Sequence, residues 1–308
     1  FNENHPKDIP YLCLFLSNLL IKIQKKMKLS QRLFKSFKSL AIGACFLGFT
    51  SQVNLVNAST PAVCKDKLTQ TTSKENIFSE NNAAVATKLD SFDDYCLGTP
   101  DRFELVIYEM GLCTSNPITG SPKAFSKENC IVTMAAATGA TADLAGSTVA
   151  LPPAVSRPTN NTYTHAFMTI LNEFGLKGSI SLNGTVYYST NTGGVTTTAP
   201  AVNHTEELDS FDETFDADFG PENMPTGGKV SALLTDSALT RAANAAAVTR
   251  LVAVFETNSG SPVVINDSVN GVEVELVVDD GGYGIAFNGS GVPIDFGSAP
   301  FKPVFSTF

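Results

Sequence analysis

The sequence is poor in the residues on which common catalytic and cofactor sites depend. It has no tryptophan and only three histidines, and only His165 and His204 lie beyond the N-terminal region. A three-histidine zinc site is therefore excluded there. No Gly-x-Ser-x-Gly elbow, dinucleotide fingerprint or phosphate loop occurs. The sequence indicates no catalytic residue and no organic cofactor.

Positive charge is also scarce after residue 58. Residues 59–308 contain nine lysines and four arginines against 28 acidic residues, which is a formal charge of −15. No basic patch interrupts this acidity. Because such a surface repels phosphate backbones, nucleic acid is not expected as a partner.

The N-terminal region has the three-part layout of a secretory signal peptide. Basic residues follow Met27, an apolar run extends from Leu40 to Val56, and small side chains precede Ala58. This order predicts removal of Met27–Ala58, with residues 1–26 an upstream extension. The predicted mature chain, residues 59–308, is expected to be secreted, periplasmic or at the cell surface.

Two alternatives retain the N-terminal region in a membrane. A spanning anchor is disfavoured because polar residues between 51 and 54 interrupt the apolar run. A lipid anchor at Cys45 is disfavoured because the apolar run continues past that cysteine. Contact with a membrane is therefore expected only through the signal segment.

Four cysteines remain in the mature chain. They are Cys64, Cys96, Cys113 and Cys130. An even number in an exported chain predicts two disulfides, and the four residues allow three pairings. We favour Cys64–Cys96 and Cys113–Cys130, because neighbours in sequence close the smallest loops. Free buried thiols and a metal site are the alternatives, and no Cys-x-x-Cys spacing supports the metal.

Residues 157–190 carry the clearest secondary-structure pattern. Tyr163–Leu171 is rich in aromatic and β-branched residues, and Phe174–Leu182 alternates apolar with small or polar residues. Asn183-Gly184 follows and leads into Thr185–Tyr188. Two residues that tolerate positive φ between two strands predict a β-hairpin with a type I′ turn.

Further short strands are predicted on both sides of this hairpin. They are Asp101–Cys113, Ile131–Met134, Thr249–Thr257, Gly271–Val278, Tyr283–Phe287 and the C-terminal pieces around Phe296 and Phe305. Ile77–Leu89 is predicted as a short helix, and 231–248 as a short helix or an extended arm. The pattern predicts an all-β fold, an antiparallel sandwich or open barrel with short peripheral helices.

The mature chain divides by composition. Residues 59–100 form a polar, disulfide-linked N-terminal segment, and residues 101–308 form the β-sandwich domain. A Thr/Gly/Pro-rich and then acidic stretch at 190–228 allows a subdivision into two domains.

An acidic run is the one candidate metal site. Its proposed calcium ligands are Glu207, Asp209, Asp212, Asp216 and Asp218. Dense carboxylates are the oxygen ligands that calcium prefers, although the EF-hand spacing does not occur. The alternative is a short helix capped by Thr205, with Leu208, Phe211 and Phe215 inward and the acids in solvent.

These features favour an exported, non-enzymatic structural or adhesive β-domain of the cell surface or extracellular space. The Pro-flanked C-terminal segment Phe301–Phe308 is predicted to lie at a sheet edge, where it could pair with another subunit or a surface partner. A calcium- or carbohydrate-binding module is the second hypothesis, although the lack of tryptophan disfavours a sugar platform. A secreted hydrolase using Asp or Glu is the third.

Overall fold

The computed structural model describes residues 62–72, 76–89, 94–146, 151–152, 157–212, 214–224 and 227–308. The upstream extension, the predicted signal peptide and Cys45 lie outside these residues. Within the described ranges, no helix has both the length and the apolarity needed to cross a membrane. The fold is all-β, as predicted, with two short α-helices, α1 (Cys64–Lys67) and α2 (Asn82–Lys88).

The strands are numbered in chain order. The first eleven are β1 (Ile77–Phe78), β2 (Tyr95–Gly98), β3 (Arg102–Cys113), β4 (Ile118–Thr119), β5 (Ala124–Phe125), β6 (Cys130–Asp143), β7 (Asn161–Tyr163), β8 (His165–Leu171), β9 (Phe174–Lys177), β10 (Ser179–Leu182) and β11 (Thr185–Ser189). The others are β12 (Val195–Thr196), β13 (His204–Glu206), β14 (Asp218–Asn223), β15 (Lys229–Thr235), β16 (Arg250–Glu256), β17 (Val263–Ile265), β18 (Val272–Val277), β19 (Tyr283–Phe287), β20 (Pro293–Ser298) and β21 (Lys302–Thr307). Two 3₁₀ turns, Ala245–Ala247 and Thr257–Gly260, flank β16.

The main sheet is antiparallel and has eight strands. Its order is β6-β3-β8-β16-β15-β14, with β9 continuing from β8 along the same edge of β3 and β13 added beside β9. The long strand β3 is central because it has apolar residues on both faces, as the sequence indicated. Strands from before and after residues 190–228 pair in this one sheet.

A second layer of smaller sheets covers the main sheet. It contains β1-β10-β11-β12, β2-β19-β20 and the pair β18-β21. Its inward residues Ile180, Tyr283 and Phe296 join Phe103 and Ile170 of the main sheet in one buried cluster. The two layers therefore share one core, as in a β-sandwich.

The predicted hairpin turn is confirmed. Leu182 pairs with Thr185, and the intervening Asn183 and Gly184 have φ values of 46° and 83°. The continuous strand predicted over 174–182 is wrong, because it divides at Gly178. Its first half, β9, joins the main sheet, and its second half, β10, joins the second layer.

Two other predicted elements differ from the structure. The helix predicted over Ile77–Leu89 begins only at Asn82, where the Asn81 side chain accepts a hydrogen bond from the Ala84 amide. Ile77–Phe78 instead pairs with β10. The stretch 231–248 begins in strand β15 and includes no α-helix among its residues, all of which are described. In both segments strand pairing takes the first residues, Ile77–Phe78 and 231–235, whereas alanines that follow them lie in α2 and in the 3₁₀ turn Ala245–Ala247.

Both predicted disulfides are present. Cys64–Cys96 joins α1 to β2, and Cys113–Cys130 joins β3 to β6 at residues directly opposite in register. Two disulfides point to an oxidising, extracellular-type compartment.

At Gly178 the backbone lies directly against a side chain of the second layer, so we expect little tolerance for a larger residue there. A Cβ atom built there would lie 2.3 Å from Cε1 of the buried Tyr283 ring. We expect Gly178→Ala to lower the free energy of unfolding by about 1–3 kcal/mol through overpacking. Guanidinium denaturation measures this. Gly289→Ala is the matched control, because no atom lies within 4 Å of its Cβ position; equal stability of the two variants would contradict the prediction.

Candidate functional site

The strongest candidate site is the outer edge of β18. This strand pairs on one side only, with β21, among the residues that the structure describes. Gly271 and Phe308 exchange two backbone hydrogen bonds of 3.2 Å just beyond its start. Because bonded pairs alternate in an antiparallel ladder, Val272, Val274 and Leu276 direct their N–H and C=O groups away from β21. No described group bonds to them.

A groove lies along this edge, with an apolar part between β18 and the main sheet and a more polar part at the other end. It consists of two cavities of about 290 and 530 Å³ that share Met110 and Val274. The smaller cavity is lined mainly by apolar side chains, which include Leu112, Met168 and Phe305. The volumes are of the size that small ligands or a few side chains fill.

Charge is distributed unevenly along the groove. Asp143, Glu273 and Glu275 line the larger cavity, and the two glutamates of β18 are exposed. At the other end, the guanidinium of Arg157 donates hydrogen bonds to the carbonyls of Val269 and Asn266 at 3.0 and 2.7 Å. One end of the groove is therefore acidic, and its single arginine is occupied by backbone carbonyls.

The edges at the two ends of the main sheet are interrupted. Opposite Ile107–Glu109, strand β6 carries a bulge in which residues 136–139 have no Cα partner. Strand β14 has a bulge between Phe219 and Glu222, and Pro221 there has no N–H. Bulges and prolines protect strand edges from pairing with other chains.

The outer edge of β21 is covered by a side chain. Asn258 Oδ1 accepts a hydrogen bond from the Phe305 amide at 2.8 Å, and its Nδ2 donates to the Phe305 carbonyl at 3.1 Å. The amide of Asn258 thus replaces a neighbouring strand at that residue. Of these four described edges, β18 is the one with uninterrupted, unpaired backbone groups.

The predicted calcium ligands do not converge on one point. They are Glu207, Asp209, Asp212, Asp216 and Asp218. Nη2 of Arg241 lies 2.5 Å from a carboxylate oxygen of Asp218 and 3.4 Å from one of Asp216. Within the described ranges, no three or more His, Cys, Asp or Glu residues form a group that could hold a metal ion. Calcium binding was the second hypothesis from the sequence, and Arg241 competes with a cation for two of its five proposed ligands.

The helix considered as the alternative at the acidic run is wrong. Thr205 lies in strand β13, which pairs with β9, and 207–210 have no regular structure. Leu208 and Phe211 are nevertheless buried, and the Leu208 amide and carbonyl both bond to the Asn172 side chain. A tertiary contact therefore replaces the helix as the means of burying these residues.

We expect added calcium to leave the melting temperature of the mature chain unchanged, because Arg241 already contacts the Asp216 and Asp218 carboxylates and partly neutralises them. Calorimetric scans with millimolar calcium and with EDTA measure this. Arg241→Gln, which removes the competing positive charge, is the sensitised control. A rise with calcium and a fall with EDTA in the unmodified chain would instead establish the calcium site.

A set of three buried polar side chains comes from β13 of the main sheet and from β19 and β20 of the second layer. His204, Tyr283 and Ser298 are at most 5% exposed, and no described group makes a well-formed hydrogen bond to their side-chain nitrogens or oxygens. Burial lowers the pKa of His204 to about 4, although the nearby carbonyls of Phe296 and Val202 favour the charged ring. Burial also raises the pKa of Tyr283 well above its ordinary value.

The other mature-chain histidine is not part of this cluster. The Nδ1 atom of His165 lies 2.9 Å from the Thr164 hydroxyl, at the start of β8. Burial lowers its pKa, and the neighbouring Glu256 opposes this shift. His165 is a half-buried residue of strand β8.

We expect His204 to make the fold sensitive to mild acid. Its pKa falls from 6.5 to about 4 on folding. The free energy of unfolding is therefore not reduced by His204 above pH 6.5. It falls as the pH drops from 6.5 to 4, because the histidine of the unfolded chain gains its proton first. The loss is about 3 kcal/mol at most. Denaturant melts of His204→Gln should show a weaker decline over this window, and an unchanged decline would contradict the assignment.

Comparison with known proteins gives no assignment: no family model matches the chain, and no curated protein or solved structure matches it significantly. A proposal of function must therefore rest on the groove and the open edge. The alternation of Val272, Val274 and Leu276 with glutamates predicted a strand with one wet face. It carried no signal that the strand pairs on only one side, since that depends on which chain segment lies next to it.

Proposed function

We propose that the mature chain is an exported, non-enzymatic structural or adhesive protein of the cell surface or extracellular space, and that it joins its partner by strand pairing. The two disulfides, the all-β fold and the acidic mature chain support this proposal. The predicted signal peptide, Met27–Ala58, would direct the chain to export.

The observation that carries the proposal is the open edge of β18 above an apolar groove. A strand added there would satisfy the outward N–H and C=O groups of Val272, Val274 and Leu276. It would also place alternate side chains in the groove, which is the arrangement of β-strand addition. Of the four edges compared, β14, β21 and β6 are interrupted or covered, and the described edge of β18 is not.

The C-terminal segment contributes to this contact indirectly. We expected Phe301–Phe308 to offer its own edge to a neighbour. Strand β21 within it pairs with β18 on one side and is bonded to Asn258 at Phe305 on the other. In our proposal β21 therefore holds β18 in place, and β18 receives the neighbour.

Fractionation of the source cells with an antibody against residues 59–308 tests the proposal. We expect the protein in the envelope, the medium or a filament fraction, with its N-terminus at Ser59 and no titratable thiol. Recovery from the cytosol with four free cysteines would overturn it. A soluble cytosolic marker and a known envelope protein of the same cells are the controls.

A further inference from the structure

We propose that the β18 groove receives an extended segment of a separate protein whose side chains alternate between apolar residues facing the main sheet and basic residues beside Glu273 and Glu275. This inference rests on the proposed strand-pairing function and names the chemistry of the partner. It concerns the edge of Val272–Val277 and the cavities beneath it.

The alternation follows from the pleat of β18. Val274 and Leu276 pack against the core, whereas Glu273 and Glu275 are exposed. Residues directly opposite each other on paired strands project to the same face. In an added strand, residues opposite Val272, Val274 and Leu276 therefore face the main sheet, and residues opposite the two glutamates lie on the other face, along the acidic part of the groove.

The apolar half of the pattern follows from the groove. Met110, Leu112 and Met168 of the main sheet lie beneath the edge, and they line the smaller cavity, which has about 290 Å³ and mainly apolar walls. Burying apolar side chains there stabilises the complex, while a charged side chain in the same place is costly without a partner.

The basic half of the pattern follows from charge. Glu273, Glu275 and Asp143 lie along the acidic end of the groove. A lysine or arginine opposite the glutamates makes a favourable cross-strand pair, and an acidic residue there is destabilising. The mature chain has a formal charge of −15, so a second copy brings net repulsion. Charge complementarity therefore favours a separate basic partner.

A six-residue peptide of alternating valine and lysine, labelled with fluorescein, is a direct probe. Six residues span about 20 Å, which covers the length of β18. We expect this peptide to bind the mature chain and to slow hydrogen exchange at the amides of Val272, Val274 and Leu276. The amides of Glu273 and Glu275 face β21 and serve as internal references, because their protection should not change.

Two variants separate strand pairing from general attraction between opposite charges. The double variant Glu273→Lys/Glu275→Lys should weaken binding of the valine–lysine peptide by about tenfold and should prefer a valine–glutamate peptide instead. Val274→Pro removes an N–H that points away from β21. It should abolish binding of both peptides while leaving the exchange protection at Glu273 and Glu275 in place.

Three results would overturn the inference. They are no slowing of the outer amides by the valine–lysine peptide, equal binding of the valine–glutamate peptide to the unmodified chain, and concentration-dependent protection of these amides without peptide. The last result would assign the edge to a second copy of this chain. None of them moves the protein out of the envelope or medium, so cell fractionation tests the proposed function separately.

Discussion

A strand at the end of a sheet exposes backbone N–H and C=O groups that must be paired, covered or solvated, and this constraint organises the surface of the protein. Strand β14 meets it with a bulge and Pro221, and β21 meets it with the amide side chain of Asn258. Strand β6 is bulged at residues 136–139. Strand β18 has three residues whose outward groups are paired with none of the described residues, and the groove lies beside them.

The interior depends on the central position of β3. This strand bonds to β6 along one edge and to β9 and then β8 along the other. Its buried residues Phe103, Leu105 and Ile107 belong to the cluster that joins the two layers. The Cys113–Cys130 disulfide closes the end of the β3–β6 pair, where the ladder would otherwise fray. The crossing at Gly178 then places Tyr283 against the backbone.

Polar groups in this protein have two different roles. In the buried cluster, His204 and Tyr283 carry shifted pKa values because they are removed from water. On the surface, the glutamates of β18 remain exposed beside an apolar groove and are available to a partner. The acidic run between these regions is partly neutralised by Arg241, which approaches from a distant part of the sequence.

The sequence by itself determined the fold class, the Asn183-Gly184 turn and the disulfide pairs, because these depend on short-range periodicity, backbone freedom and loop length. Compartment and export rest on composition and on residues outside the described ranges. Only the tertiary structure decided that β9 and β10 separate at Gly178, that Thr205 lies in a strand and that Arg241 reaches Asp218. The open edge of β18 belongs to this second group, because the pairing of a strand is decided by the distant segments beside it.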